Sequence, residues 1–133
     1  MTPVFLDTVG LLALWDQDDQ WHSPAVSAFN SIRQRRLPVV TTELVLLECG
    51  NAAARRPYRE AVCELRLAMQ QRGELLVPTP DDYAAAWQAY ASRTSAAAGI
   101  VDQISFGVMR RLELKTAFTN DEHFRAAGFE TLF

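Results

Sequence analysis

The sequence contains only one lysine, Lys115, only two cysteines, and no long apolar run. A membrane span needs roughly 20 consecutive apolar residues, and the start of the chain has no basic leader, so we predict a cytoplasmic protein that does not cross a membrane. Two cysteines are too few for a disulfide framework and lack metal-type spacing. Cys49 and Cys63 lie in helical patterns and are predicted to be buried, reduced thiols.

The chain also lacks an excess of positive charge. Its formal net charge of -3 argues against a protein that coats nucleic acid by bulk electrostatics, although local basic patches remain possible. Nearly all of the basic residues are arginines, whose guanidinium groups suit phosphate recognition. They cluster at 33–36, 55–59 and 110–111. A compositional bias of the genome would produce the same preference, so these clusters alone do not indicate a nucleic-acid partner.

Short apolar runs typical of buried strands alternate along the chain with segments of helical periodicity. This alternation predicts an α/β protein, a three-layer α/β/α sandwich with a mainly parallel central sheet. With 133 residues, we expect a single domain over residues 1–133. The predicted strands are 3–7, 37–40, 75–77, 116–119 and 129–133. The predicted helices are 8–15, 24–36, 43–55, 58–71, 82–90 and 101–112, with Ser23 and Asp81 as the N-caps of the second and fifth, and a loop over 94–99.

Four acidic residues lie next to apolar core segments, where a solvated surface charge is out of place. They are Asp7, Glu48, Asp102 and Asp121. Asp7 and Asp121 end predicted parallel strands, and open α/β sheets hold their ligand crevice at the carboxyl ends of the strands. Glu48 lies in mid-helix among leucines, and Asp102 lies at the start of a helix beside isoleucine and valine. An unpaired carboxylate in such surroundings costs several kcal/mol.

No cationic residue lies near these acids in the sequence, so either arginines from elsewhere in the fold or a metal ion must neutralise them. A metal ion is the simpler explanation, and all-oxygen ligands favour Mg²⁺ or Mn²⁺. Such an ion usually binds one or two carboxylates together with phosphate oxygens, which indicates a phosphodiester substrate. For any one of the four acids, capping of the following helix is an equally good explanation. The set of four is harder to explain in that way, and it predicts a metal-dependent nuclease.

Other polar residues accompany the acids. Thr8 and Thr119 neighbour two of them; helix capping is the commoner role of such threonines, and the functional role they offer is to orient a carboxylate or a metal-bound water. Asn51 and Ser105 each lie one turn after an acid on the same helix and are predicted to face the same side.

The histidines and tryptophans are predicted to be structural. His22 and His123 suit packing and helix capping better than metal binding or catalysis. Trp15, Trp21 and Trp87 have helical spacing that is more typical of a core than of a surface that stacks bases or binds a partner.

Four segments together resemble a known family. They are VFLDT at 4–8, TTELVLLE at 41–48, VDQISF at 101–106 and AFTNDEHF at 117–124. In this order and spacing they resemble the PIN-domain nucleases, and within them the VapC-type toxins of bacterial toxin-antitoxin systems. The resemblance covers nearly the whole chain.

This resemblance implies a Mg²⁺- or Mn²⁺-dependent endoribonuclease that cleaves structured cellular RNA such as tRNA or rRNA. It also implies a homodimer that is held inactive by a separate VapB-like antitoxin. Asp7, Glu48, Asp102 and Asp121 then correspond to the acidic quartet of the family, with Thr8 and Thr119 as supporting hydroxyls. Glu43 lies on the same helix as Glu48 and is the alternative to it.

Other functions stay open. One is a housekeeping PIN-domain nuclease of RNA processing, and another is a PIN-like module that binds RNA or protein without cutting it. A receiver domain or a haloacid-dehalogenase-like phosphatase would need features that this sequence lacks. No Asp-x-Asp follows the first strand, and Lys115 precedes the strand at 116–119.

Overall fold

The structure, a computed structural model, describes residues 1–92 and 98–133. Most of the predicted loop at 94–99 therefore lies outside the described residues. The strands are β1 (Val4–Leu6), β2 (Val39–Thr42), β3 (Leu75–Leu76), β4 (Thr116–Phe118) and β5 (Glu130–Thr131). The helices are α1 (Thr8–Trp15), α2 (His22–Gln34), α3 (Glu43–Ala53), α4 (Arg59–Gln71), α5 (Pro80–Ser92), α6 (Ile100–Arg111) and α7 (Glu122–Ala126). Within the two described ranges, no helix combines the length and the apolarity needed to cross a membrane.

The five strands form one sheet in the order β3-β2-β1-β4-β5, and every neighbouring pair is parallel. The central strand, β1, is completely apolar and buried, as expected for a strand covered on both faces. The predicted α/β/α sandwich with a parallel sheet is confirmed. Because the strands are parallel, the residues that follow β1, β2 and β4 meet at one edge of the sheet, which we call the carboxyl edge.

Helix α1 packs very closely on the neighbouring strand β4. A Cβ atom at Gly10 would lie 2.1 Å from the carbonyl oxygen of Phe118. Only glycine allows this approach, which holds the start of α1 against the end of β4. The two segments that carry acids at the carboxyl edge are fixed to each other by this contact.

Several local predictions were wrong. Helix α2 begins at His22, with Trp21 at the N-cap position and no side-chain cap, so Ser23 lies inside the helix. Helix α5 begins at Pro80, and Thr79 and Asp82 exchange backbone-to-side-chain hydrogen bonds of 2.8 and 3.1 Å, so Asp81 is not its cap.

Three side chains predicted to be buried are exposed. Cys63 lies on the solvent side of α4, whereas Cys49 is buried as predicted. Trp21 and Trp87 are each about half exposed, at 45% and 56%. Helix α7, just after the last acid, was not predicted, because a helix of 5 residues is too short to show a clear period.

Candidate metal centre at the carboxyl edge

Asp7 and Asp121 lie next to each other in the fold because β1 and β4 are adjacent parallel strands. Each is the N-cap of a helix, α1 for Asp7 and α7 for Asp121, and accepts a hydrogen bond from a backbone N–H two residues later. Capping and a metal site are therefore not exclusive explanations of these acids, since each carboxylate has a second oxygen.

Thr119 links the two aspartates. Its hydroxyl donates to Asp7 Oδ2 at 2.8 Å, and its oxygen accepts the backbone N–H of Asp121 at 3.1 Å. Thr119 is completely buried and Asp7 is 2% exposed. The predicted orienting role of this threonine agrees with these contacts.

Thr8 makes a corresponding contact with α3. Its hydroxyl lies 2.7 Å from Glu48 Oε1, which it donates to, and 3.5 Å from the carbonyl oxygen of Val45. Helix α3 starts directly after β2, where Thr42 caps it, so its second turn brings Glu48 to the first turn of α1. The third acid thus reaches the carboxyl edge from a neighbouring helix.

Asp102 completes the group from the first turn of α6. One of its carboxylate oxygens, one of Asp121 and one ring nitrogen of His123 lie within 4.8 Å of one another. Asp102 and Asp121 are thus close in space although they lie on different helices.

The pKa values of two of these acids show how closely the negative charges are packed. Burial raises the pKa of Asp7 from 3.8 to about 7, with further increases from the charges of Asp102 and Asp121, although the Thr119 hydrogen bond lowers it. Burial also raises the pKa of Asp102, to about 6, as do the charges of Asp121 and Glu48. Each acid in the group thus acts on at least one of the others.

Cys49 is a buried residue near this group, and the negative charges of the group also affect its thiol. Burial raises the pKa of its thiol to about 12, and the charges of Asp7 and Glu48 add to the increase. In the metal-free protein the thiol therefore stays protonated at neutral pH, which does not favour a nucleophilic role for Cys49.

A divalent cation fits this arrangement. Within the described residues, the ion pairs formed by arginine use Glu43, Glu74 and Asp82, and none of them involves the four acids. Clustered carboxylates that none of these arginines neutralises are the donor set of a hard cation such as Mg²⁺ or Mn²⁺.

The family model of the PIN domain matches residues 4–130, almost the whole chain. The chain belongs to the PIN domain family. Six chains of solved structures match significantly, among them VapC20 of Mycobacterium tuberculosis, described as a sarcin-ricin loop cleaving toxin. This chain is 29% identical to VapC20, the match covers 95% of both chains, and the TM-score is 0.79. No curated protein matches significantly. The resemblance to VapC-type PIN nucleases is confirmed.

The structure decides between the two glutamates of α3 in this PIN domain. Glu43 accepts a 2.7 Å hydrogen bond from Arg66 Nε on α4, in an exposed ion pair. Glu48 contacts Thr8 and acts on Asp102 and Cys49. Glu48 is therefore the member of the acidic group.

The two remaining polar residues differ from each other. Asn51 is exposed and lines a surface cavity with Ala52, Ala54, Arg55 and Arg56, and it makes no hydrogen bond to the acids. Ser105 is 1% exposed, and its hydroxyl has no hydrogen-bond partner within the described residues. Within the described residues, neither Asn51 nor Ser105 hydrogen-bonds to the carboxylates.

His123 is the residue that the sequence reasoning missed. The prediction gave it a role in packing and helix capping; its backbone N–H does bond the Asp121 cap, but its Nδ1 also lies 3.0 Å from Asp121 Oδ1 and the side chain is 40% exposed. The signal in the sequence is a histidine two residues after an acid at a helix start, a spacing at which the cap holds the backbone of the histidine beside the carboxylate.

Proposed function

We propose that this PIN domain is a Mg²⁺- or Mn²⁺-dependent endoribonuclease, the toxin of a toxin-antitoxin pair, that hydrolyses phosphodiester bonds in structured cellular RNA. The observation that carries the proposal is the convergence of Asp7, Glu48, Asp102 and Asp121 at the carboxyl edge, where no arginine or lysine of the described residues forms an ion pair with them. The similarity to VapC20 supports ribosomal RNA, and in particular the sarcin-ricin loop, as the first substrate to test. Its action is in the cytoplasm, where tRNA and rRNA are found.

In the proposed mechanism, Asp7, Glu48, Asp102 and Asp121 would hold the ion, and Glu48 would also serve as the general base. A divalent ion bound there supplies positive charge that offsets the carboxylates and stabilises negative charge developing on the phosphate. Thr119 holds Asp7 in place through Oδ2, and Thr8 holds Glu48 through Oε1. Glu48 takes up the proton of the attacking water at Oε2, the oxygen that does not accept the Thr8 bond.

Cleavage by the purified protein tests this proposal. We expect cutting of a sarcin-ricin loop RNA or of tRNA with Mg²⁺ or Mn²⁺ and none with EDTA. Asp7→Asn and Asp102→Asn abolish cutting while the far-ultraviolet circular dichroism spectrum stays unchanged. Undiminished cutting by these two variants excludes the site.

The glutamates of α3 offer a matched pair for the same assay. Glu48→Gln is expected to reduce cleavage by at least about 100-fold, in the range of a lost general base. Glu43→Gln removes an equal charge from the same helix but only breaks an exposed ion pair with Arg66, so its rate stays near that of the wild type. Equal losses in the two variants contradict the assignment of Glu48.

The biological part of the proposal concerns partners. Induction in a heterologous host is expected to arrest growth, and co-expression of a short neighbouring gene that encodes the VapB-like antitoxin restores it. Light scattering on a sizing column is expected to show a homodimer. Cleavage without growth arrest favours a housekeeping nuclease, and RNA binding without cleavage favours a non-cutting PIN-like module.

A further inference from the structure

His123 borders the acidic group but has no part in the mechanism above. It lies in the first turn of α7, where its backbone N–H donates to Asp121 Oδ1 at 2.9 Å and its ring Nδ1 lies 3.0 Å from the same oxygen. A ring nitrogen also lies within 4.8 Å of a carboxylate oxygen of Asp102. The imidazole is partly exposed, so a cation has access to it.

We infer that His123 is a direct ligand of the divalent ion, so that the centre is a mixed nitrogen and oxygen site that favours Mn²⁺ over Mg²⁺. The inference rests on the proposed function only in that the site binds a divalent ion. It departs from the all-oxygen site predicted from the sequence.

The spacing of the donor atoms supports this inference. Two adjacent ligands of one octahedral ion, each about 2.1 Å from the metal, are about 3 Å apart. The 3.0 Å between His123 Nδ1 and Asp121 Oδ1 matches that separation. The same pair of atoms can therefore share a hydrogen bond in the free protein and an ion in the loaded protein.

The chemistry of the donors sets the expected selectivity. Mg²⁺ takes oxygen ligands and keeps much of its water, whereas imidazole nitrogen suits transition-metal ions. Mn²⁺ accepts both kinds of ligand. A histidine beside three or four carboxylates therefore adds to the affinity for Mn²⁺ and little to the affinity for Mg²⁺.

A different role for His123 would be to orient Asp121 without touching the ion. Histidines and carboxylates often pair in this way around metal sites, and loss of such a partner weakens metal binding for any ion that the carboxylate holds. The two roles differ in a spectroscopic property, because only a nitrogen bonded to Mn²⁺ couples strongly to its electron spin.

Pulsed electron paramagnetic resonance of the full-length protein loaded with Mn²⁺ distinguishes them. We expect ¹⁴N coupling in the wild type, and its loss in His123→Gln. His22→Gln is the matched control, since His22 is the only other histidine and its ring bonds the carbonyl oxygen of Ala13. Titration calorimetry is expected to show the Kd for Mn²⁺ rising by at least about tenfold in His123→Gln while the Kd for Mg²⁺ changes by less than about threefold, because imidazole suits transition-metal ions better than Mg²⁺.

The outcomes separate this inference from the proposed function. Wild-type protein that binds Mn²⁺ without ¹⁴N coupling, or a variant that loses both ions equally, overturns the direct ligand and leaves the nuclease proposal standing. Wild-type protein that binds neither ion overturns both. His123→Asn repeats the test if His123→Gln fails to fold, and either variant keeps the backbone N–H that Asp121 caps.

Discussion

The negative charge of Asp7 destabilises the folded, metal-free protein. Because burial and neighbouring acids raise its pKa from 3.8 to about 7, the folded protein holds the proton more tightly than the unfolded chain does. The stability that this proton gives is fully present below about pH 4 and is lost as the pH rises through about 7. In the absence of metal, the ionised carboxylate thus destabilises the protein at neutral and higher pH.

Asp7→Asn is therefore expected to stabilise the metal-free protein at pH 8. A pKa rise from 3.8 to about 7 corresponds to about 4 kcal/mol at most, and we expect a gain of about 1–4 kcal/mol in the free energy of unfolding. The measurement is urea unfolding in EDTA at pH 8 and at pH 3.5, where the gain should vanish.

Asp18→Asn, at an exposed turn position, is the control for this measurement and should show no such pH dependence. Added Mn²⁺ should reverse the order at pH 8, because binding to the folded wild type adds stability that the variant cannot gain. A variant that is less stable than the wild type in EDTA at pH 8 contradicts the argument.

Two helix ends hold a left-handed backbone without glycine. Arg36 has φ 53° after α2, and Glu113 has φ 57° after α6, whereas Gly73 takes this conformation after α4. At each of these ends the following residue bonds a carbonyl five residues earlier, which is the Schellman arrangement. Two non-glycine residues therefore occupy positions that favour glycine.

Arg36→Gly and Glu113→Gly are each expected to raise the free energy of unfolding by about 0.5–1 kcal/mol, since relief of the left-handed strain exceeds the added entropy of the unfolded chain. Chemical denaturation measures the effect. Gly73→Ala is the reverse control and should lose about 1 kcal/mol. Destabilisation by both glycine substitutions would contradict this explanation.

At the scale of elements, the close contact between α1 and β4 depends on glycine, which has no side chain, at position 10. Gly10→Ala places a Cβ atom 2.1 Å from a backbone oxygen of Phe118, so helix and strand must separate. We expect a loss of about 1–3 kcal/mol or more in the free energy of unfolding. Gly107→Ala in α6 is the control, because nothing lies within 4 Å of its Cβ position, and it should be neutral or gain up to about 1 kcal/mol. Equal effects of the two substitutions in thermal unfolding would sink this account.

The elements that could be predicted from the sequence are those with strong periodicity. The strands that end at Asp7 and Thr119 and the long apolar helix α3 were predicted almost to their ends. Errors concentrate where a tertiary contact overrides a local signal. At Ser23 the capping pattern is present, but the helix already begins at His22, whose ring bonds the carbonyl oxygen of Ala13 on α1.

The candidate site follows the same division. Asp7 and Asp121 were predictable because parallel strands deliver their following residues to one edge. Glu48 and Asp102 could be singled out in the sequence only because they are acidic residues in apolar surroundings with no basic residue nearby. The closeness of His123 to Asp121 and Asp102 could not be predicted, because it depends on how helices α6 and α7 pack together. No local sequence pattern encodes that packing.

At the scale of the whole molecule, the arginines divide into those used by the fold and those left for a partner. Arg66, Arg72 and Arg111 pair with acids, and the pairing lowers the pKa of Asp82 beside Arg111. Arg110 lies over two phenylalanine rings and donates to a backbone carbonyl. The arginines at 110–111 therefore have structural roles, and the clusters at 33–36 and 55–59 are the ones left as candidates for phosphate contact.

The position of these two clusters in the sheet separates them. Residues 33–36 end α2 and precede β2, so they lie at the edge opposite the acids. Arg55 makes no ion pair within the described residues and shares a cavity with Asn51, which lies one turn after Glu48 on α3. Arg56 also faces a second cavity that contains Asp16 and Asp18, where anionic ligands are disfavoured. Of the clustered arginines that the structure describes, Arg55 is therefore the one for which the proposed nuclease function predicts a contact with an RNA phosphate near the acids.

Arg55→Ala is expected to weaken RNA binding with little effect on kcat, because the guanidinium contacts a flanking phosphate in the substrate and in the transition state alike. Loss of one phosphate contact should also lower the slope of log Kd against log salt by about 0.7–1. Fluorescence anisotropy with a labelled sarcin-ricin loop RNA, in the non-cutting Asp7→Asn background, measures the Kd and its salt slope. The cleavage assay with Arg55→Ala alone measures kcat. Arg33→Ala removes the same charge from the opposite edge and should leave the slope unchanged. If the two substitutions weaken binding equally, the attraction is a property of total charge, and the α3 surface does not guide the RNA.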